Sequence, residues 1–274
     1  MRLGAAMLLT ATGCGGGGPA QLDAALVDAT LVHVGDFEAA GAFDPGTTYP
    51  QFSTNIDTCE HDQTCATDSL ELVTSPVRAG TRAVRVTLTA GDAQDTGGTR
   101  AELQTSGLFE QTLEEDYWYG FAIYLPEAWG DDPNDRKVVH QWHTARKQPG
   151  SSPILGLRLR GATWQLTREL ADDESATTLW EGAAARGRWT DWVLHVRWSP
   201  AANGRLEVWR DGEQLLDETA ANMHPGTSAG GHYQKFGMYG EFDGDLTERV
   251  LYYDELRVAV GPAGYALVDP GAAR

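Results

Sequence analysis

Tyr233-Gln234-Lys235-Phe236-Gly237-Met238-Tyr239 alternates at the period of a β-strand. Gln234, Phe236 and Met238 fall on one face, which suits a core. Tyr233, Lys235, Gly237 and Tyr239 fall on the other, which carries two phenols, an ammonium and a position without a side chain. A face of that kind either meets a ligand, with glycine permitting close approach, or is a solvated strand surface. A strand that buries one face and wets the other belongs to an antiparallel sheet.

The flanking sequence continues the pattern. Val250 to Val260 reads as a closing strand, and the tail from Gly261 as loop. Upstream, Leu206 to Leu216 is a strand, an Asp211-Gly212 turn and a return strand, the signal of a two-residue hairpin. Trp189 to Trp198, Thr163 to Glu169 and Ile154 to Leu159 follow the same pattern. Tyr117 to Leu125 is almost continuously apolar and aromatic, as expected of a central strand buried on both faces. Thr99 to Gln104, Ala83 to Ala90, Ser69 to Thr74 and Leu31 to Glu38 complete the set. Many strands, short turns and no helical periodicity predict an all-β fold, a two-sheet antiparallel sandwich or jelly roll.

The chain has 274 residues, 41% hydrophobic content and nine tryptophans, enough for one large all-β domain with a substantial core. Its net charge of −18 excludes nucleic acid as a partner, because a phosphate backbone requires a basic footprint. An anionic substrate is not excluded, since a local basic cleft can form in an acidic protein. Lysine is scarce, and one of the few, Lys235, lies in the opening stretch. Most positive charge is arginine, the residue suited to bidentate recognition of carboxylates.

Two further strand faces carry polar clusters. Arg100, Glu102 and Gln104 alternate on one face of their strand. Without a site, an Arg100–Glu102 neighbour pair would be a surface salt bridge of little consequence. In Val138-Val139-His140-Gln141-Trp142-His143, the residues Val139, Gln141 and His143 are expected on one face, with Arg146 and Lys147 just beyond. His140 shares the face of Trp142 and is the poorer candidate for chemistry.

Arg100-Ala101-Glu102-Leu103, Gln141-Trp142-His143 and Tyr233-Gln234-Lys235-Phe236-Gly237-Met238-Tyr239 occur in the order of the R-x-E, Q-x-H and Y-x-K-x-G-x-Y elements of sandwich-fold polysaccharide lyases. The chain resembles that superfamily of alginate, glucuronan and heparin lyases over most of residues 31–260. The phrase from Tyr117 to Pro126 is similar to the heparin-lyase-like branch. Ala101 and Gln104 stand where alginate lyases commonly carry Ser/Thr and Arg, which points away from alginate itself.

The resemblance implies a concanavalin A-like jelly roll that cleaves a uronic-acid polysaccharide by β-elimination. Such an enzyme removes the C5 proton of a uronate and expels the 4-linked sugar, leaving an unsaturated product. Arg100, Gln141 and His143 would bind the uronate carboxylate and hold the developing enolate-like charge. Glu102 would orient Arg100, and Tyr239 would transfer the proton. Lys235 would tune Tyr239 or contact substrate, and Tyr233 would stack on sugar or support the site. Arg146 and Lys147 would add substrate contacts. Where the proton and leaving oxygen share a side, Tyr239 would serve as base and acid; where they are opposed, His143 would be the base. No cofactor is implied. Structural calcium, seen in part of the heparin lyase family, would have to use the acidic loops 172–174 or 243–245, which match no defined calcium loop. The rival readings are a non-catalytic carbohydrate-binding or laminin-G-like sandwich, and a glycoside hydrolase, which would need two carboxylates flanking the scissile bond.

The first residues read as an export signal. Arg2, an apolar run from Leu3 to Leu9 and the small residues before Cys14 have the signal-peptide layout. Cys14 followed by Gly15 to Gly18 resembles a bacterial lipoprotein signal, with Cys14 lipidated; a plain secretory peptide cut near Ala20 is the alternative. The layout is then a signal at 1–13, a lipid-anchored tether at 14–30, the jelly-roll domain at 31–262 and a tail at 263–274. The protein is expected in the bacterial cell envelope or secreted, as a monomer that meets the membrane through the anchor alone. In an oxidising compartment Cys59 and Cys65 would form a short-loop disulfide, with a metal site using His61 as the alternative.

Overall fold

The computed structural model describes residues 28–39, 53–55, 69–90, 94–95, 98–109, 111–144, 153–170, 176–227, 232–242 and 246–272. In chain order the strands are β1 (Thr30–Gly35), β2 (Ser53–Asn55), β3 (Leu70–Val73), β4 (Ala83–Thr89), β5 (Gln94–Asp95), β6 (Gly98–Gln104), β7 (Asp116–Leu125), β8 (Arg136–Thr144), β9 (Leu155–Arg160), β10 (Thr163–Arg168), β11 (Thr177–Ala183), β12 (Arg188–Arg197), β13 (Arg205–Arg210), β14 (Glu213–Thr219), β15 (His232–Gly240) and β16 (Glu248–Val260). One helical turn, α1 (Tyr265–Val268), follows them.

The strands form two antiparallel sheets. The back sheet runs β14-β13-β12-β7-β16-β4-β3, with β1 also on β16; the front sheet runs β11-β10-β9-β8-β15-β6-β2, with β5 on β6. This is the sandwich expected from the sequence. The predicted hairpin is present: Asp211 and Gly212 both have positive φ (52° and 81°), and Arg210 pairs with Glu213.

The core lies between the sheets, where aromatic rings interdigitate. Tyr119 meets Trp142 at 5.5 Å between centroids, Trp164 meets Trp192 at 5.5 Å, and Phe236 meets Tyr253 at 5.2 Å. Burying each such side chain contributes about 1.5–3 kcal/mol. His140 is part of this layer, as its phase with Trp142 suggested. It stacks on Phe121 at 4.0 Å and pairs through Nε2 with Gln234 Oε1 at 3.0 Å. Burial lowers its pKa to about 3, so the ring is neutral and structural.

β7 is central because its outer face is covered as well. Gly120 lies so close to α1 that a Cβ would meet the Val268 carbonyl oxygen at 1.9 Å. Trp118, Val193, Ala259 and Val268 form a small apolar cluster there, and Trp118 Nε1 donates to the Gly261 carbonyl at 2.9 Å. The tail after Gly261 therefore contains a helix that the sequence reading took as loop. β11 was also missed, because its pattern Thr177-Thr-Leu-Trp-Glu-Gly-Ala183 is half-buried at best and alternates weakly.

Candidate active site

β15 lies between β6 and β8, so the three polar strand faces become one surface. Lys235 sits opposite Gln104 on one side and Gln141 on the other; Tyr233 faces His143, Tyr239 faces Arg100, and Gly237 faces Glu102. Each pair shares a face because directly opposed residues in an antiparallel ladder point the same way.

Two register breaks shape the surface. β8 shifts against β9 between Val138 and His140, and β15 shifts against β8 between Phe236 and Tyr239. Such bulges re-aim side chains locally. As a result Val139 does not share the face of Gln141 and His143, as simple alternation predicted. Val139 is wholly buried in the core, and Val138 takes the place opposite Tyr239. The break is supported from the other sheet, where the Tyr253 hydroxyl donates to the Val139 carbonyl at 2.5 Å.

Glu102 organises the centre. Its side chain is fully enclosed; Oε1 accepts from Gln141 Nε2 at 2.5 Å, and Oε2 lies 3.3 Å from Arg100 Nε. The contact to Arg100 joins neighbours on one strand face, whereas the bond to Gln141 was not legible, since β15 intervenes between the two strands. Glu102 reaches across at Gly237, the point on β15 with no side chain. Gly237 has φ of +133°, and a Cβ there would sit 2.2 Å from the Ala101 carbonyl oxygen. This glycine serves the close approach of β6, where the sequence had suggested room for a ligand.

The Arg100 guanidinium lies over the Tyr239 ring, 4.6 Å from its centroid. Lys235 is 7% exposed and sits 5.9 Å from the Tyr233 ring, which is stacked with His143 at 5.9 Å. Thus Arg100, Glu102, Gln141, His143, Tyr233, Lys235 and Tyr239 are brought to one face. Arg146 and Lys147 lie outside the described residues, as do Cys14, Cys59, Cys65 and the acidic loops at 172–174 and 243–245. Among the described residues, no group of three or more His, Cys, Asp or Glu is placed to hold a metal ion.

Beside Tyr239 the surface opens into a cleft of about 400 Å³, lined by Arg136, Val138, Arg158, Arg160, Gln165 and Thr167 among others. The sequence reading named none of the three arginines. The signal was present in Leu155-Gly156-Leu157-Arg158-Leu159-Arg160, where three leucines alternate into the core and two arginines take the wet face.

The front sheet thus groups Arg100, Gln141, His143, Lys235 and Tyr239 around the enclosed Glu102 carboxylate of an antiparallel sandwich, the architecture of a jelly-roll enzyme class. The family model described as polysaccharide lyase matches residues 43–257, and the chain belongs to that family. It is an enzyme, a polysaccharide lyase. Among solved structures it is similar to the endo-β-1,4-glucuronan lyase of the fungus Trichoderma reesei, at 23% identity and a TM-score of 0.60 over 74% of this chain and 90% of that one. The alginate lyase AlgAT5 of polysaccharide lyase family 7 matches at 16% identity and a TM-score of 0.53, over 86% of this chain and 96% of that one. The alginate lyase A1-II′, of the same family 7, matches at 12% identity and a TM-score of 0.54, over 72% and 85%. At these identities the likeness is one of fold. No curated protein matches the chain.

Proposed function

We propose that this polysaccharide lyase cleaves a polymer containing uronic acid by β-elimination, with Tyr239 as the proton-transfer residue. The observation that carries the reading is the enclosed Glu102 holding Gln141 and Arg100, with Arg100 in turn lying on Tyr239. A C5 proton is weakly acidic until the adjoining carboxylate is neutralised. Arg100, Gln141 and His143 form a donor set for that carboxylate and for the charge that develops on it. The C5–H bond breaks, its proton passing either to Tyr239 in its phenolate form, which thereby becomes the phenol, or to the neutral imidazole of His143, with Tyr239 then starting as the phenol. The electron pair forms the C4–C5 double bond as the C4–O bond breaks, and Tyr239 protonates the departing oxygen. Atoms and charge balance without a cofactor. Glu102, with no exposed side-chain surface, positions donors and is not placed to attack a sugar. Lys235 and Tyr233 flank the donor set and serve as substrate contacts in this reading, which also assigns Arg146 and Lys147 to substrate binding.

Glucuronan and alginate, named for the similar structures, are both polyuronates, which supports this substrate class. The test is a product assay on glucuronan, alginate, heparin and heparan sulfate, read by the ultraviolet absorbance of the new conjugated double bond. The expected result is absorbance growth on at least one polymer; binding without absorbance on all four would overturn it. The exported, Cys14-lipidated form is proposed with it. Incorporation of labelled fatty acid, lost in Cys14→Ser, tests the anchor, and a Cys59–Cys65 disulfide is tested by thiol labelling before and after reduction.

A further inference from the structure

We propose that the cleft beside Tyr239 is a second carboxylate subsite, anchored by Arg158, for the uronate unit next to the one undergoing elimination. This rests on the β-elimination reading. The register places the two groups in one row: Arg100 faces Tyr239, Tyr239 faces Val138, Val138 faces Arg158, and Arg158 faces Gln165. Two strand spacings, about 9–10 Å, separate the backbones of Tyr239 and Arg158. Tyr239 and Arg158 line the same cleft, so a polymer reacting at Tyr239 carries a neighbouring unit past Arg158.

The guanidinium is held in position. Its Nε donates to Thr167 Oγ1 at 2.9 Å, and Thr167 Oγ1 donates onward to the Gly156 carbonyl at 3.2 Å. With Nε occupied, the end-on pair of terminal nitrogens presents the bidentate edge that fits a carboxylate. Burial lowers the Arg158 pKa, with Glu169 and Tyr239 opposing the shift, as for a cation partly removed from water. An anion arriving there meets a stronger field than it would at the open surface.

The cleft concentrates positive charge, with Arg160 Nε also donating to the Pro133 carbonyl at 2.9 Å. Arg136 and Arg160 are directly opposed across β8 and β9, an arrangement of like charges that costs stability. Both line the cleft with Arg158, in a chain whose net charge is −18. A bound carboxylate offsets that repulsion, and a row of arginines beside Tyr239 gives an extended polyanion its register.

The test compares wild type, Arg158→Gln and Arg158→Lys by steady-state kinetics on the polyuronate the wild type cleaves, and on the same polymer with its carboxyls progressively reduced. Arg158→Gln should lose about 10- to 100-fold in kcat/KM, mainly through KM, with an unchanged pH profile, and Arg158→Lys should fall between. The wild-type rate should fall with the square of the remaining carboxylate fraction, because two neighbouring carboxylates are read, whereas the Arg158→Gln rate should fall linearly. Should the glutamine variant fail to fold, the lysine variant carries the comparison through its intermediate KM. A kcat/KM within about 2-fold of wild type, or the same dependence on carboxylate fraction in both enzymes, overturns the subsite while leaving the lyase reading intact. A wild type that produces no unsaturated product on any polyuronate overturns both.

Discussion

In the proposed reaction Tyr239 moves a proton, while Glu102 holds Gln141 and Arg100. Tyr239→Phe removes a single hydroxyl and leaves the ring under Arg100. The expected result is loss of elimination by about 10²–10⁴-fold with oligouronate binding retained, checked by double-bond absorbance and by calorimetric titration. Glu102→Gln keeps the shape but offers one carbonyl oxygen where two carboxylate oxygens now serve Gln141 and Arg100. One of the two donors then faces an amide N–H₂. Turnover should fall about 10- to 100-fold, with kcat more affected than KM because the lost order is that of the donor set. That Arg100, Gln141, His143 and Tyr239 belong together was legible from the order of their motifs. The Glu102–Gln141 bond and Arg158 were not, because the first spans an intervening strand and the second belongs to no motif.

Among the elements, β15 and its register breaks decide whether the side chains meet. Gly237→Ala would force a Cβ to within 2.2 Å of the Ala101 carbonyl oxygen at a φ of +133°. It should destabilise the protein by about 1–3 kcal/mol and separate Glu102 from Gln141. Both a lower thermal midpoint and a lower kcat are expected, the latter below the unfolding range. Tyr253→Phe deletes the donor to the Val139 carbonyl, the contact that supports the β8 break from the back sheet. A buried carbonyl left unmet costs about 1–3 kcal/mol. Chemical denaturation should show that loss, and activity should fall although Tyr253 touches no substrate. Alternation in the sequence assigned Phe236, Trp142 and His140 to the core correctly, but it misplaced Val139. A bulge adds one residue to a period of two, and nothing in Val138-Val139-His140 marks where the addition falls.

At the level of the whole molecule, buried titrating groups predict how stability depends on pH. Burial lowers the pKa of His140 and His232 to about 3 and that of His33 to about 4, from 6.5. Between those values and 6.5 the unfolded chain binds protons that the folded one does not, so stability is present above pH 6.5 and is lost as pH falls. Asp254 opposes this: burial raises its pKa from 3.8 to about 7, so its contribution is lost as pH rises through 7. Three histidines outweigh one aspartate across the common window, and the thermal midpoint should rise from about pH 4 to 6.5. His232, packed between Trp198 and Tyr117, offers a check. His232→Phe should flatten the acid limb, measured by calorimetry across that range.

The order of apolar and polar residues was enough to determine an all-β sandwich, its hairpin at Asp211-Gly212, the inward face of β15 and the burial of His140. These follow from local rules: strand period, turn chemistry and the cost of leaving large apolar side chains in water. The three motifs, in their order along the chain, also carried the family, through their resemblance to sandwich-fold polysaccharide lyases. What tertiary structure alone decided was adjacency. β15 enters between β6 and β8, the bulges at Val139 and Gly237 set which side chains face the cleft, and Glu102 reaches Gln141 over a glycine. Strand pairing joins residues more than ninety positions apart, and its register is a property of the assembled sheet that no local stretch contains.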